Sequence, residues 1–378
     1  MKILVAYAYS GVGHKRAAEA VRDALSDYNK NIDVKAVDIL DYTGNFLKFL
    51  YPRIYLFLID RTPLLWGFLY YLLDIRLVDR VSVFLRRGFH NFYAGRFERL
   101  ISDENPDVVV CTHFFPSEVA ARLKKKNIFK GRLITIITDM MPHYFWLEKG
   151  PDYFIVAIEE TKKDLVKRGI DENMVKVLGI PCDPAFGFSK GRAELIKKMG
   201  LGEDFFNVLI MGGGFGTGPV EKIIDSVCTL EVSIRDSLQV IVICGKNKVL
   251  FEQLNKKRSA FGVKLYIFGY MTNIDEFMEL SDCIVTKSGG LTISEALSKK
   301  LPMIIIQPIP GQETRNAKVL ARYGAALCAN KPEKVRDYVR DFIKFPEKII
   351  GMKARINFLA YPDAAKDIAE FVAGGKLL

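Results

Sequence analysis

Met211-Gly212-Gly213-Gly214-Phe215-Gly216-Thr217-Gly218 closes an apolar run at 208–211, and Ser10-Gly11-Val12-Gly13-His14 closes another at 3–9. Each reads as the strand-to-helix corner of a βαβ unit, where glycines let the backbone approach a ligand closely and the next helix turns unpaired N–H groups toward an anion. One such corner in each half of the chain predicts an α/β protein of two Rossmann-like, doubly wound domains. A cleft between them would suit a phosphate-bearing ligand on one side and a second substrate on the other.

Working outward, strand-like segments recur near 2–8, 34–38, 108–112, 133–138, 153–157 and 175–179, and again near 207–211, 238–244, 264–268, 283–286, 303–306 and 326–329, with helical patterns between them. Gly179-Ile180-Pro181-Cys182-Asp183-Pro184 has two prolines and no periodicity, and marks the expected linker. The domains expected are therefore 1–182 and 183–356, followed by a helical tail at 357–378. Residues 43–100 interrupt the alternation. The stretch is too long for a βα connection and too rich in leucine and aromatics for disorder, which predicts inserted helices.

The 378 residues suffice for two cores. No uncharged apolar run reaches the roughly 18–20 residues of a membrane span. The N-terminus enters a strand at once, so neither a signal nor a transit peptide is expected. Six dispersed cysteines without a C-x-x-C pair fit buried thiols of a reducing cytoplasm better than disulfides or zinc ligands. A net charge of +11 invites an anionic partner. No helix-turn-helix, RNP or zinc-finger pattern favours nucleic acid. In 43–100 the cations Lys48, Arg53, Arg61, Arg76, Arg80, Arg86, Arg87, Arg96 and Arg99 interleave with aromatics such as Phe46, Phe49, Tyr55, Phe57, Trp66 and Phe68, which points instead to an anionic membrane surface.

The corners fail the dinucleotide spacing, since the sixth position counted from Gly11 is Arg16, and no Walker A pattern occurs. Asp38 could still mimic a ribose ligand and keeps a dehydrogenase as a weak alternative. In the second half, Thr286-Lys287-Ser288-Gly289-Gly290-Leu291-Thr292-Ile293-Ser294-Glu295 follows a strand. Its small residues and helix start suit a diphosphate, with Lys287 adding charge and Glu295 placed to accept ribose hydroxyls. Thr292-x-x-Glu295 is equally a capping box. Pro308-Ile309-Pro310-Gly311-Gln312-Glu313 then puts two polar side chains at a strand-end turn, where they could bind sugar hydroxyls or simply start a helix.

Taken in order, the glycine loop, Phe268-Gly269-Tyr270, the Ser-Gly-Gly corner with its glutamate and Pro-Gly-Gln-Glu resemble glycosyltransferase family 28. The likeness is strongest to its branch of monogalactosyldiacylglycerol synthases and processive diacylglycerol glucosyltransferases. Ser10-Gly11-Val12-Gly13-His14, Cys111-Thr112-His113, and Thr138-Asp139 with His143 and Trp146 resemble that branch's N-terminal signatures, except that Val12 stands where a glycine is common. The resemblance implies the GT-B fold, with the donor on the C-terminal domain, the acceptor on the N-terminal one and a final helix crossing back. It implies that Phe268, Gly269 and Tyr270 border uracil, and that Gly213, Gly214, Phe215 and Gly216 hold diphosphate together with Lys287, Ser288, Gly289, Gly290, Leu291 and Thr292, with Gly13 on the donor side. Glu295 would take ribose, and Gln312 and Glu313 the hexose.

Displacement at an anomeric carbon needs a base. His14 is the first choice, with Asp139 as the alternative or as the group that orients a histidine; His113, His143 and Trp146 are expected on the acceptor side. No D-x-D occurs, so no metal or other cofactor is expected, and a single displacement predicts inversion. The partners expected are a UDP-sugar (UDP-glucose or UDP-galactose), a diacylglycerol or glycolipid acceptor and an anionic membrane surface, with the protein peripheral on the cytoplasmic face. The rivals are a GT-B transferase using a polyprenyl-linked peptidoglycan precursor or soluble acceptor, a non-catalytic binding module, and a nucleotide-sugar epimerase.

Overall fold

The structure is a computed structural model and describes residues 1–9, 11–78, 88, 93–214 and 216–374. Phe215 and His90, and with them Arg80, Arg86 and Arg87 of the basic stretch, lie outside the described residues. By their contacts the residues form two units, one of Met1–Pro184, Ile309–Arg315 and Asp363–Leu378, the other of Ala185–Pro308 and Asn316–Pro362.

The described helices and strands run β1 (Lys2–Tyr7), α1 (Val12–Tyr28), β2 (Asp33–Asp38), α2 (Asn45–Arg61), α3 (Pro63–Leu73), α4 (Gly95–Glu104), β3 (Val108–Cys111), α5 (Phe114–Lys125), β4 (Arg132–Ile136), β5 (Tyr153–Val156), α6 (Glu159–Lys167), β6 (Val175–Val177), α7 (Arg192–Lys198), β7 (Phe206–Met211), α8 (Val220–Cys228), α9 (Val232–Arg235), β8 (Leu238–Ile243), α10 (Lys248–Lys257), β9 (Lys264–Phe268), α11 (Ile274–Leu280), β10 (Cys283–Thr286), α12 (Gly290–Ser298), β11 (Met303–Ile306), α13 (Gln312–Arg322), β12 (Ala326–Ala329), α14 (Pro332–Lys344), α15 (Pro346–Ile356) and α16 (Ala364–Gly374). Every strand expected from the sequence is present.

In the first unit all six strands are parallel, in the order β2-β1-β3-β4-β5-β6. Parallel strands are covered on both faces, which is why β1 and β3 read as continuous apolar runs rather than alternating ones. On one face Ile3, Val5, Val108, Val110, Ile134 and Ile136 pack with Val21 and Leu25 of α1 and with Ile368, Phe371 and Val372 of α16. On the other, Leu4, Val109, Cys111 and Leu133 pack with Phe97 and Ile101 of α4 and with Phe115, Val119 and Leu123 of α5. The returning helix α16 thus belongs to the first core. It is shorter than the sequence suggested, because α15 ends at Ile356 and residues 357–363 are turns around Pro362 before α16 begins.

The inserted stretch is helical where described. Pro63 starts α3 as its first residue, a position where its missing N–H costs nothing, and α2 and α3 meet at a bend of 106°. Among the described residues no single helix is long and apolar enough to cross a membrane; these two pass that test only as a bent pair. They leave Phe46, Phe49, Phe57, Leu64 and Phe68 exposed, Leu64 at 83%.

The second unit holds six parallel strands in the order β12-β11-β10-β7-β8-β9. This order reverses between β10 and β7, as the first sheet's does between β1 and β3. In doubly wound sheets such switch points are where the loops splay and ligands bind.

Candidate active site

At the first switch point, β1 runs into Gly11, the N-cap of α1, and His14 falls in that helix's first turn. Its Nδ1 lies 2.7 Å from the Thr112 carbonyl oxygen at the end of β3. A carbonyl only accepts, so Nδ1 carries the proton and Nε2 keeps its lone pair. The Thr138 hydroxyl beyond β4 is 3.1 Å from the same Nδ1, and Thr112 Oγ1 donates to the His14 carbonyl at 2.9 Å. One threonine therefore pins both ring and backbone. Burial pushes the imidazole down to about 4, against which the Thr112 hydrogen bond pulls only weakly, so it is neutral at pH 7.

The other two described histidines are built differently. His113 caps α5, its Nδ1 accepting from the Phe115 N–H at 3.0 Å, and its ring stands edge-on to His14 at 4.7 Å. His143 accepts from the Phe145 N–H at 3.1 Å and places Nε2 2.8 Å from the Tyr70 carbonyl, so both nitrogens are spent. Burial pushes it too down to about 4. Trp146 is buried with its ring 6.3 Å from His14 and 6.4 Å from His113. Asp139 follows Thr138 at the same strand end and is half-buried. The group orienting His14 through Nδ1 is the Thr112 carbonyl. Thr112 and Thr138 stood in the quoted signatures, but nothing in their spacing revealed that they hold the ring.

Asp38 accepts from the N–H groups of Tyr9 and Leu40 at 3.2 and 3.0 Å and caps a short turn, a structural role that accounts for it without a ribose.

Gln312 and Glu313 open α13 and group with the first unit. Glu313 accepts from the Ile309 N–H at 2.8 Å, closing its own loop, and Gln312 Nε2 donates to the Tyr55 hydroxyl at 3.0 Å. Gly311, at φ +103, lies under Tyr70, where an added Cβ would stand 2.9 Å from the ring. Arg315 pairs with Asp74 of the turn after α3, which also takes Arg168 at 3.0 Å and the Tyr144 N–H at 2.9 Å. Burial alone would raise the Asp74 carboxyl, but the two arginines hold it below the usual range.

In the second unit the glycine loop after β7 folds back on itself. Thr217 N donates to the Gly212 carbonyl at 3.1 Å, and Gly216 N donates to that of Gly213 at 3.0 Å. Gly216 has φ +60, and a Cβ there would sit 1.9 Å from the Cys244 carbonyl oxygen; one on Gly212 would sit 1.9 Å from that of Thr217. Only glycine fits either place. Lys287 Nζ donates to Thr217 Oγ1 at 3.0 Å, tying the two loops of this switch point together beside a crevice lined by Gly212, Thr217, Gly218, Thr286 and Lys287.

Helix α12 starts at Gly290 with Gly289 as N-cap and no side-chain cap, so the N–H groups of its first turn are not taken by a capping side chain. This corrects the capping-box alternative: Thr292 is the third residue of the helix, and Glu295 lies a turn further in, buried. Asn316 Nδ2 holds the Ser288 carbonyl at 3.0 Å. After β9, Phe268 packs on Phe277 at 4.8 Å, no atom stands near where a Gly269 Cβ would lie, and Tyr270 is exposed under Lys246.

Comparison with known proteins adds to this geometry. Residues 14–182 match the family model for monogalactosyldiacylglycerol (MGDG) synthase, and 207–368 that for the glycosyltransferase family 28 C-terminal domain. A processive diacylglycerol beta-glucosyltransferase of Bacillus pumilus is 30% identical over 374 residues, covering 98% of this chain and 94% of that one. One of Bacillus subtilis is 31% identical over 295 residues, covering 76% and 75%. Among solved structures, Acinetobacter baumannii MurG matches at TM-score 0.62 and 16% identity over 98% of this chain and 99% of that one. A UDP-GlcNAc 2-epimerase of Neisseria meningitidis bound to UDP-GlcNAc matches at 0.62 and 14% over 99% and 100%. These last two establish the GT-B fold alone, which serves transferase and epimerase equally; the sequence relatives are what separate them.

Proposed function

The chain belongs to glycosyltransferase family 28, in the branch of the monogalactosyldiacylglycerol synthases and processive diacylglycerol glucosyltransferases, and from that premise we propose that it moves a hexose from UDP-glucose or UDP-galactose to the hydroxyl of diacylglycerol, or of the glycolipid so formed. The observation that carries this reading is the His14 ring, whose Nδ1 proton is fixed on the Thr112 carbonyl so that Nε2 is the basic nitrogen. In the reaction the acceptor oxygen attacks the anomeric carbon while its proton passes to Nε2. The bond to the diphosphate breaks with its electron pair leaving on UDP, and an α-linked donor yields a β-glycoside. The loops at Gly212–Gly218 and the start of α12 supply N–H donors to the diphosphate, with Lys287 beside them, in the place a divalent metal takes elsewhere. Glu295 takes the ribose, and Gln312 and Glu313 the hexose.

The exposed Phe46, Phe49, Phe57, Leu64 and Phe68 of α2 and α3, with Lys48, Arg53 and Arg61 among them, give the acceptor side a surface suited to the headgroup region of an anionic bilayer, with the protein peripheral on its cytoplasmic face. The test is incubation of the purified protein with each UDP-sugar and diacylglycerol vesicles, with lipids read by mass and the anomeric configuration by NMR. β-Hexosyl diacylglycerol formed undiminished with chelator present is the expected result. Transfer to a polyprenyl-linked or soluble acceptor only, an α product, or turnover abolished by chelator would each strike the corresponding part of the reading. Flotation with anionic but not neutral vesicles is expected of the surface.

A further inference from the structure

Among the described residues, two of the buried polar atoms that lack a hydrogen-bond partner belong to side chains in contact with Tyr55. One is Gln312 Oε1, on the amide whose Nε2 donates to the Tyr55 hydroxyl at 3.0 Å; the other is Trp66 Nε1, on the indole that stands edge-on to the Tyr55 ring at 5.4 Å. A buried donor and a buried acceptor left unpaired destabilise a fold, which tolerates them where a ligand satisfies them. An unsatisfied N–H and an unsatisfied carbonyl oxygen on two side chains that both touch Tyr55 match a hydroxyl-bearing ligand, because a hydroxyl both donates and accepts.

We propose that Tyr55 and Trp66 complete the hexose site: Tyr55 occupies one end of the Gln312 amide and so turns the other end toward a sugar hydroxyl, while Trp66 offers its Nε1–H to the same sugar. The inference rests on the reading of Gln312 and Glu313 as hexose ligands. Tyr55 is a positioning residue, acting through the amide, and Trp66 is a direct ligand. Three features favour this site. The Tyr55 ring is fixed by Trp66, which is tilted in turn against Tyr70 at 6.2 Å. The loop carrying Gln312 is held by the close fit of Pro310 on Gly67, where an added Cβ would stand 2.6 Å from the proline. Burial first, then the carboxylates of Glu313 and Asp139, raises the Tyr55 phenol above its ordinary value, so the group stays a neutral hydroxyl that accepts from the Gln312 amide.

The source of the hydroxyl is the donor hexose and not the acceptor glycerol, and the experiment separates them. Binding of UDP and of UDP-glucose and UDP-galactose is measured by calorimetry for the full-length wild type, Tyr55→Phe, Trp66→Phe, Gln312→Ala and Tyr55→Phe/Gln312→Ala. Both phenylalanine variants keep an aromatic ring in place. Each is expected to weaken the UDP-hexose that the wild type prefers by about tenfold while leaving UDP, which lacks the sugar, within about twofold. The double variant is expected to be no weaker than Gln312→Ala alone, because Tyr55 acts only through that amide. In turnover, KM for the UDP-hexose rises and that for diacylglycerol does not. Unchanged UDP-hexose binding, equal losses for UDP and UDP-hexose, multiplying losses in the double variant, or a rise confined to the diacylglycerol KM would each overturn the inference. A wild type that binds neither UDP nor UDP-hexose would sink the transferase reading itself, and this inference with it.

Discussion

The two switch points have the same architecture and opposite chemistry. Between β1 and β3 the chain spends side chains: His14, Thr112, His113, Thr138 and Asp139 converge on strand ends, and the hydrogen bonds that matter fix a tautomer. Between β7 and β10 it spends backbone: glycines at Gly212 and Gly216 have no room for a Cβ, and Lys287 ties the loops by a single side-chain hydrogen bond to Thr217. A proton acceptor needs a particular nitrogen in a particular state, which only a side chain supplies. A departing diphosphate needs several donors converging on one place, which main-chain N–H groups supply more densely than side chains can. On the proposed reading, the duplicated architecture separates the base from the anion cradle.

The largest effect that could break this contrast is at His14. Replacing it with alanine should lower kcat about a thousandfold while UDP affinity stays within about twofold. A loss below about tenfold in stopped assays would mean that the imidazole is no base. The reciprocal change is Gly216→Ala, which forces a Cβ toward the Cys244 carbonyl at a positive φ. Strain of about 1–3 kcal/mol predicts UDP binding weaker by about tenfold to a hundredfold in calorimetry. Undiminished binding would show that the loop relaxes freely. Smaller again is Lys287→Met, where loss of one cation near the diphosphate should weaken UDP about fivefold and flatten the salt dependence of binding. An effect larger than that of Gly216→Ala would move the cradle from backbone to side chain.

How much of this was legible in sequence differs between the corners for the same reason. The backbone corner announced itself, because closely approaching backbones require glycine and no other residue, so Gly212 and Gly216 were visible as letters. The side-chain corner was legible only as His14 and Asp139. That Thr112 and Thr138 hold the ring is a matter of three strand ends meeting across 98 and 124 residues, which no local pattern encodes. Least legible was Tyr55, in a stretch singled out only for its helical pattern and its aromatic and basic surface. Its contact with Gln312 spans 257 residues and arises from how α3 packs on the Pro310–Gln312 turn. The two readings of Thr292-x-x-Glu295 show the limit plainly: the pattern is a capping box in letters, and only the helix beginning at Gly290 decides otherwise.

The smallest effect tests the same contrast through stability. All four histidines lie between residues 14 and 143, so histidine titration touches the first corner and leaves the second alone. Burial lowers His14 from 6.5 to about 4 in the folded chain, and between those values the unfolded chain binds more protons. Stability drawn from the neutral imidazole is therefore complete above about pH 6.5 and is lost as the pH falls toward 4. His14→Asn removes the titrating group, and comparing it with wild type cancels every other ionisation. The Tm advantage of wild type over His14→Asn should be greatest near pH 7.5 and shrink by a few degrees at pH 4.5. A difference that holds constant across that range would mean that the ring is solvated enough to protonate normally, and that Thr112 orients it without holding it neutral.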